Sequence, residues 1–246
     1  MIGNLLLRGM IAGLIAGLLA FGFARTFGEP LVDRAIAFEE QEAAAANEPA
    51  EPELVSRKTQ AGIGLLTGVV CYSVAIGGIF ALVFAGLYGR TGRISPRGLS
   101  AILGVLAFLA IIVVPDLKYP PNPPAVGNPD TIGIRTGLFF IMMVVSIAAM
   151  VVAYLIRSAL VARMGGWNAS IVAGLCYIAF IAAVQFLLPA INEVPENFSA
   201  VTLYNFRIAS VGIQAIVWAG TALIFGVMAE ALMKNSGHYR NAIAAR

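Results

Sequence analysis

The side chains with chemistry to offer are few, and they gather at the ends of long apolar runs rather than inside them. The densest group lies in Pro115–Thr136, PDLKYPPNPPAVGNPDTIGIRT, where Asp116, Lys118, Tyr119, Asn122, Asp130 and Arg135 stand among six prolines. Glu193 and Glu196 occupy a later connection, Glu29 and Arg57 flank an earlier one, and Arg207 opens the last apolar run. Asp116, Asp130, Glu193 and Glu196 are oxygen donors of the kind that hold a hydrated divalent cation weakly. A tight transition-metal site wants imidazole or thiolate instead. The chain carries one histidine, His238, and two cysteines, Cys71 and Cys176, which fall in separate apolar runs. That spacing makes neither a disulfide framework nor a metal-ligand set, and both cysteines read as small buried apolar residues. The sequence shows no nucleophile paired with a base and no phosphate-binding loop. It therefore reads as a non-enzyme that hydrolyses no ATP and holds no tightly bound cofactor.

The elements that position these residues are membrane helices. The 246 residues are 59% hydrophobic and 12% charged, about half the charge of a soluble domain at roughly 25%. Apolar runs near the roughly 20 residues needed to cross a bilayer recur along the chain. The fold class is all-α, a polytopic membrane protein forming a single integral membrane domain over residues 1–246. Six spans are predicted: Leu5–Ala24, Ala61–Tyr88, Leu99–Val114, Thr136–Ile156, Ala169–Leu188 and Ile208–Ala229. The count falls to five if the first run is a cleaved leader or the short third run does not cross. Gly9, Gly13 and Gly17 recur at four-residue spacing, which puts small residues on one helix face for close packing and favours a retained helix.

Between the runs, residues 25–60 read as an acidic, partly disordered loop. Gly28-Glu29-Pro30 is expected to end the first helix, and Leu31, Ala35 and Phe38 share one face of a short amphipathic helix. EEQEAAAANEPAEPE then follows as a mobile low-complexity segment. Pro115 is expected to stop the third span. Proline fixes φ and holds the preceding residue extended, so residues 115–136 read as a stiff extended loop and not a floppy linker. Within the spans the notable polar groups are uncharged: Gln185, Ser210 and Gln214. The two glutamines are either helix–helix hydrogen-bonding residues or ligands along an ion path.

Charge placement orients the spans. Arg90, Arg93 and Arg97 share one acid-free connection, and Arg157 and Arg163 share another. Lys234, Arg240 and Arg246 follow the last span. Positive residues mark cytoplasmic ends, so both termini are expected in the cytoplasm. Twelve of the thirteen acids then fall on the outer side, where Arg57, Arg135 and Arg207 each stand at a helix start. Basic and acidic residues so close to lipid pair, either to fix the loops or to shape an ion entrance. The net charge of +3 follows this membrane pattern and points to the lipid bilayer, not to nucleic acid.

The run Leu117-Lys118-Tyr119-Pro120-x-Asn122-Pro123-Pro124-Ala125-Val126-Gly127, followed by Thr131-Ile132-Gly133 and Arg135-Thr136, resembles the signature of the CbtA family of proposed cobalt transporters. Gly28-Glu29-Pro30, Ser56-Arg57 with Gln60, and Gly77-Gly78-x-Phe80 resemble its other recurring features. The resemblance covers nearly the whole chain. It implies an inner-membrane protein linked to cobalamin metabolism, moving a divalent cation such as Co²⁺ and working with a small subunit, CbtB, whose terminus is His-rich. The family is described with five spans, against the six counted here.

With one histidine, this chain cannot assemble a nitrogen-rich Co²⁺ site alone. Either oxygen ligands hold a partly hydrated ion or the partner supplies imidazoles. Two functions follow: a transport subunit whose path includes Glu29, Arg57, Lys118, Tyr119, Asn122, Arg135, Gln185, Arg207 and Gln214, or a non-transporting scaffold or assembly factor with an outer docking surface. The oligomeric state is open.

Overall fold

The computed structural model describes residues 2–47, 54–92 and 94–235. Among them, five helices are long and apolar enough to cross a membrane. In chain order they are α1 (Ile2–Ala45), α2 (Arg57–Leu87), α3 (Pro96–Lys118), α4 (Ile132–Leu187, entered through a 3₁₀ turn at Pro129–Thr131) and α5 (Ala200–Asn235). No strand occurs among the described residues.

Two helices run through the prolines that were expected to end them. At Ala24–Gly28 the α1 backbone widens into a π turn, closed by the Glu29 N–H on the Ala24 carbonyl. Pro30 follows at the next residue. In a regular α-helix its ring would press on the carbonyl four residues back, and it has no N–H to donate. The wider turn makes room, and α1 continues to Ala45. The same device carries α3 past Pro115. A π turn at Leu109–Val113 is closed by the Val114 N–H on the Leu109 carbonyl, and helix persists to Lys118. The short helix expected around Leu31, Ala35 and Phe38 is thus continuous with α1 and runs to Ala45, with Leu31 and Ala35 buried on one face. Glu48, Glu51 and Glu53 lie outside the described residues.

The fourth and fifth predicted spans share α4. Helix-forming residues fill the sequence from Ile156 to Met164, so nothing breaks the helix before the glycine pair Gly165-Gly166. Gly165 then takes φ +77°, ψ 164°, a left-handed backbone open to glycine. The helix folds back there. Ser146 Oγ and Tyr177 OH hydrogen-bond at 2.7 Å, although 31 residues of straight helix would hold them roughly 46 Å apart.

The chain divides into two compact units, residues 1–105 with 208–246, and residues 106–207. In the first, α1 and α2 meet backbone to backbone. A Cβ on Gly9 would lie 2.2 Å from the Gly77 carbonyl oxygen, and one on Gly13 would lie 2.1 Å from that of Ser73. The small residues therefore do what their spacing suggested. Ala16 of α1 lies against Gly220 of α5. Phe80 and Phe84 of α2 meet Phe225 of α5 edge-on at 5.6 and 5.0 Å. Ser100 of α3 donates to the Ala222 carbonyl at 2.6 Å.

In the second unit, Val114, Tyr119, Met142, Ala149 and Ile181 form one core. Cys71 and Cys176, expected to be buried, are both exposed. Apolar side chains serve equally on the outer face of a membrane helix and in its core, so composition does not separate the two.

Candidate functional site

In the first unit, polar chemistry centres on Arg57. Ser56 caps α2, its hydroxyl accepting from the Thr59 N–H at 3.4 Å, so Arg57 occupies the first helical position. The guanidinium reaches back to α1. Its Nε donates to Asp33 Oδ1 at 2.9 Å, and its Nη2 pairs closely with Glu29 Oε2. Glu29 is 7% exposed, a carboxylate largely withdrawn from water. A buried carboxylate costs several kcal/mol unless it is paired, and Arg57 supplies that pairing while tying α2 to α1. Two π turns flank the pair, Ala24–Gly28 before Glu29 and Gln60–Gly64 after Arg57. Gln60 donates to the Val55 carbonyl at 2.8 Å. Further along, Tyr72 OH donates to Gln214 Oε1 at 3.2 Å, which ties α2 to α5.

In the second unit, the Pro-rich stretch is fastened to the connection that follows α4. Tyr119 is buried, and its hydroxyl donates to the Pro189 carbonyl at 2.9 Å. Burial pushes its hydroxyl up from the ordinary tyrosine value. Asn122 Oδ1 accepts from Arg207 Nη2 at 2.8 Å, while Arg207 Nε is buried with no partner among the described residues.

Glu193 gathers two hydrogen-bond donors and one ion-pair partner. Thr131 Oγ1 donates at 2.6 Å, the Asn128 N–H at 2.7 Å, and Arg135 Nε stands at 3.3 Å. The Thr131 hydroxyl first, then the Asn128 N–H and the Arg135 charge, hold this carboxyl below the usual range. Gly127 makes room for the arginine. With φ +125°, it would carry any Cβ to 2.2 Å from Arg135 Nη1. Gln185 Nε2 donates to the Val114 carbonyl at 2.9 Å, joining α4 to α3.

The remaining expected residues are not drawn in. The side chains of Asp116, Lys118, Asp130 and Glu196 have no hydrogen bond or ion pair among the described residues, although the Asp130 N–H donates to Asn128 Oδ1 at 2.9 Å. No three of His, Cys, Asp and Glu converge there as a metal-binding group. His238 lies outside the described residues.

Sequence reasoning passed over one cluster. Glu230 of α5 pairs with Arg97 Nε of α3 at 2.5 Å and with Lys234 Nζ at 2.6 Å. The spacing of Glu230 and Lys234 by four was legible as a helical pair. Arg97 was not, because only packing brings α3 beside α5.

A family model described as "Probable cobalt transporter subunit (CbtA)" matches residues 2–230. The chain belongs to the CbtA family. No curated protein and no solved structure matches it. The matched stretch takes in the Arg57–Glu29–Asp33 group, the Pro-rich stretch, Glu193 and Glu230.

Proposed function

We propose that this chain is the membrane subunit of a cobalt, or more broadly divalent-cation, uptake system of the inner membrane, linked to cobalamin metabolism. The family match over residues 2–230 carries this reading, together with five helices of membrane-crossing length and polarity. In the proposed topology the two arms of α4 cross separately, giving six crossings with both termini in the cytoplasm. The Pro-rich stretch and the connection holding Glu193 and Glu196 then lie outside.

An arriving cation meets Asp116, Asp130 and Glu196, carboxylates with no internal partner among the described residues. Glu29 and Glu193 are already neutralised by Arg57 and Arg135. Loading at either of those two requires the cation to displace an arginine. Oxygen donors bind Co²⁺ weakly, which suits an ion that must leave again. Tighter capture falls to a small His-rich partner of the CbtB kind, whose imidazoles this chain lacks.

Cobalt accumulation in cells expressing the chain, the partner, both or neither tests this. Uptake should need the chain and rise further with the partner. Equal accumulation in all four would refute transport. A second reading, a non-transporting scaffold, is favoured by the way Glu193 spends its oxygens on Thr131, Asn128 and Arg135. It predicts partner binding that is indifferent to metal. Topology is tested with single cysteines. Asn122→Cys and Asn197→Cys should react with an impermeant thiol reagent outside sealed cells, and Thr91→Cys should not. Outside labelling of Thr91→Cys would refute the orientation.

A further inference from the structure

We propose that the α4 hairpin is a binding site for one anionic phospholipid, its acyl chain in the groove between the arms and its phosphate at the bend. The groove is about 410 Å³ and is lined from one arm by Val145, Ala149, Val152 and Ile156, and from the other by Cys176 and Phe180. That volume lies inside the range of roughly 300–1,000 Å³ typical of ligand sites. The polar atoms of its walls are spent, since Tyr177 OH and Ser146 Oγ bond each other at 2.7 Å. Only apolar matter suits the remainder.

From Val145 to Ile156 the groove runs roughly 17 Å along the helix. One leaflet is about half of a hydrocarbon core of about 30 Å. The groove therefore matches one leaflet in depth.

The end of the groove that faces the bend is basic. Arg157 follows Ile156 directly and reaches across the hairpin, donating from Nε to Ser170 Oγ at 2.9 Å. Arg163 is exposed two residues before Gly165. No Asp or Glu occurs between residues 132 and 187, and neither arginine has a carboxylate partner among the described residues. Trp167, 80% exposed at the bend, is the kind of side chain that settles at a headgroup interface. A guanidinium binds a phosphate through paired charge-assisted hydrogen bonds, and basic pockets beside apolar clefts between membrane helices take anionic headgroups. A zwitterionic lipid offers the same chain and phosphate but adds a cation that the two arginines repel. The charge pattern therefore selects the anionic class.

The test uses the full chain in detergent, observed by native mass spectrometry and thermal unfolding. The probes are phosphatidylglycerol, phosphatidylcholine with identical chains, and inorganic phosphate. Phosphatidylglycerol should be retained and raise the unfolding temperature above the other two. Arg157→Gln with Arg163→Gln should weaken its retention roughly tenfold, to the phosphatidylcholine level, and lysine at both positions should restore part of the preference. Val152→Phe, at a groove-lining residue 52% exposed and so clear of the core, should lower retention of both lipids while leaving the lipid-free unfolding temperature unchanged. Equal retention of the two lipids, a phosphatidylglycerol preference that survives loss of both arginines, or a shift reproduced by inorganic phosphate alone would each overturn the proposal.

Discussion

Replacing Gly77 by alanine tests whether backbone contact between α1 and α2 holds the first unit together. The added Cβ would lie 2.1 Å from the Gly9 carbonyl oxygen, 2.9 Å from its carbon and 3.0 Å from Gly13 Cα. All three atoms are backbone, so no rotamer change relieves the overlap. Carbon atoms pack best near 3.5–4.0 Å, and a gap of about 0.5–1 Å forfeits a quarter to a half of each contact. Parting the helices by about 1 Å spreads that loss along the seam, and overpacking of this kind costs roughly 1–3 kcal/mol. A Cβ added at Gly68 of the same helix would meet nothing within 4 Å. Gly68→Ala should instead gain roughly 0.5–1 kcal/mol from reduced backbone freedom. Thermal unfolding of the purified chain in detergent should separate the two variants by on the order of 10 °C, at about 2–4 °C per kcal/mol. If Gly77→Ala unfolds at or above the Gly68→Ala temperature, the close α1–α2 seam is wrong.

Arg57→Gln should destabilise the first unit by about 1–3 kcal/mol, because it leaves Glu29 buried without its cation. Adding Glu29→Gln should recover much of that loss in the same unfolding assay, and no recovery would mean that the two do not act as a pair. Glu193, with its carboxyl held low, contributes stability that is complete above the unfolded-state pKa and is lost as pH falls through the lower folded value. Acid titration followed by loop-specific fluorescence should show the second unit loosening in that window. Thr131→Val removes the largest cause of the shift and should move the loosening to higher pH; an unchanged midpoint would show that Thr131 does not hold the carboxylate.

The sequence alone decided the class of this protein and the small-residue face by which α1 packs. Apolar runs of bilayer length, an acid-free set of arginine connections and a glycine repeat follow from what lipid tolerates, and each is a local property of the chain. The family was legible for the same reason, since the Pro-rich run is contiguous. Residues joined across the fold were not. Arg135 stands out in the sequence as a charged residue of the Pro-rich stretch, but its pairing with Glu193 is made by the fold, and no spacing announces it. Glu230 was passed over, because only packing sets Arg97 beside it. Pro30 and Pro115 punctuate a helix by local rules, yet a π turn before each absorbs the missing N–H and the ring, and α1 and α3 run on. Whether a helix bends, breaks or widens at a proline depends on what the continuing turns can bury. In α1 those turns place Leu31, Ala35 and Glu29 in the interior, and only the tertiary structure supplies that interior.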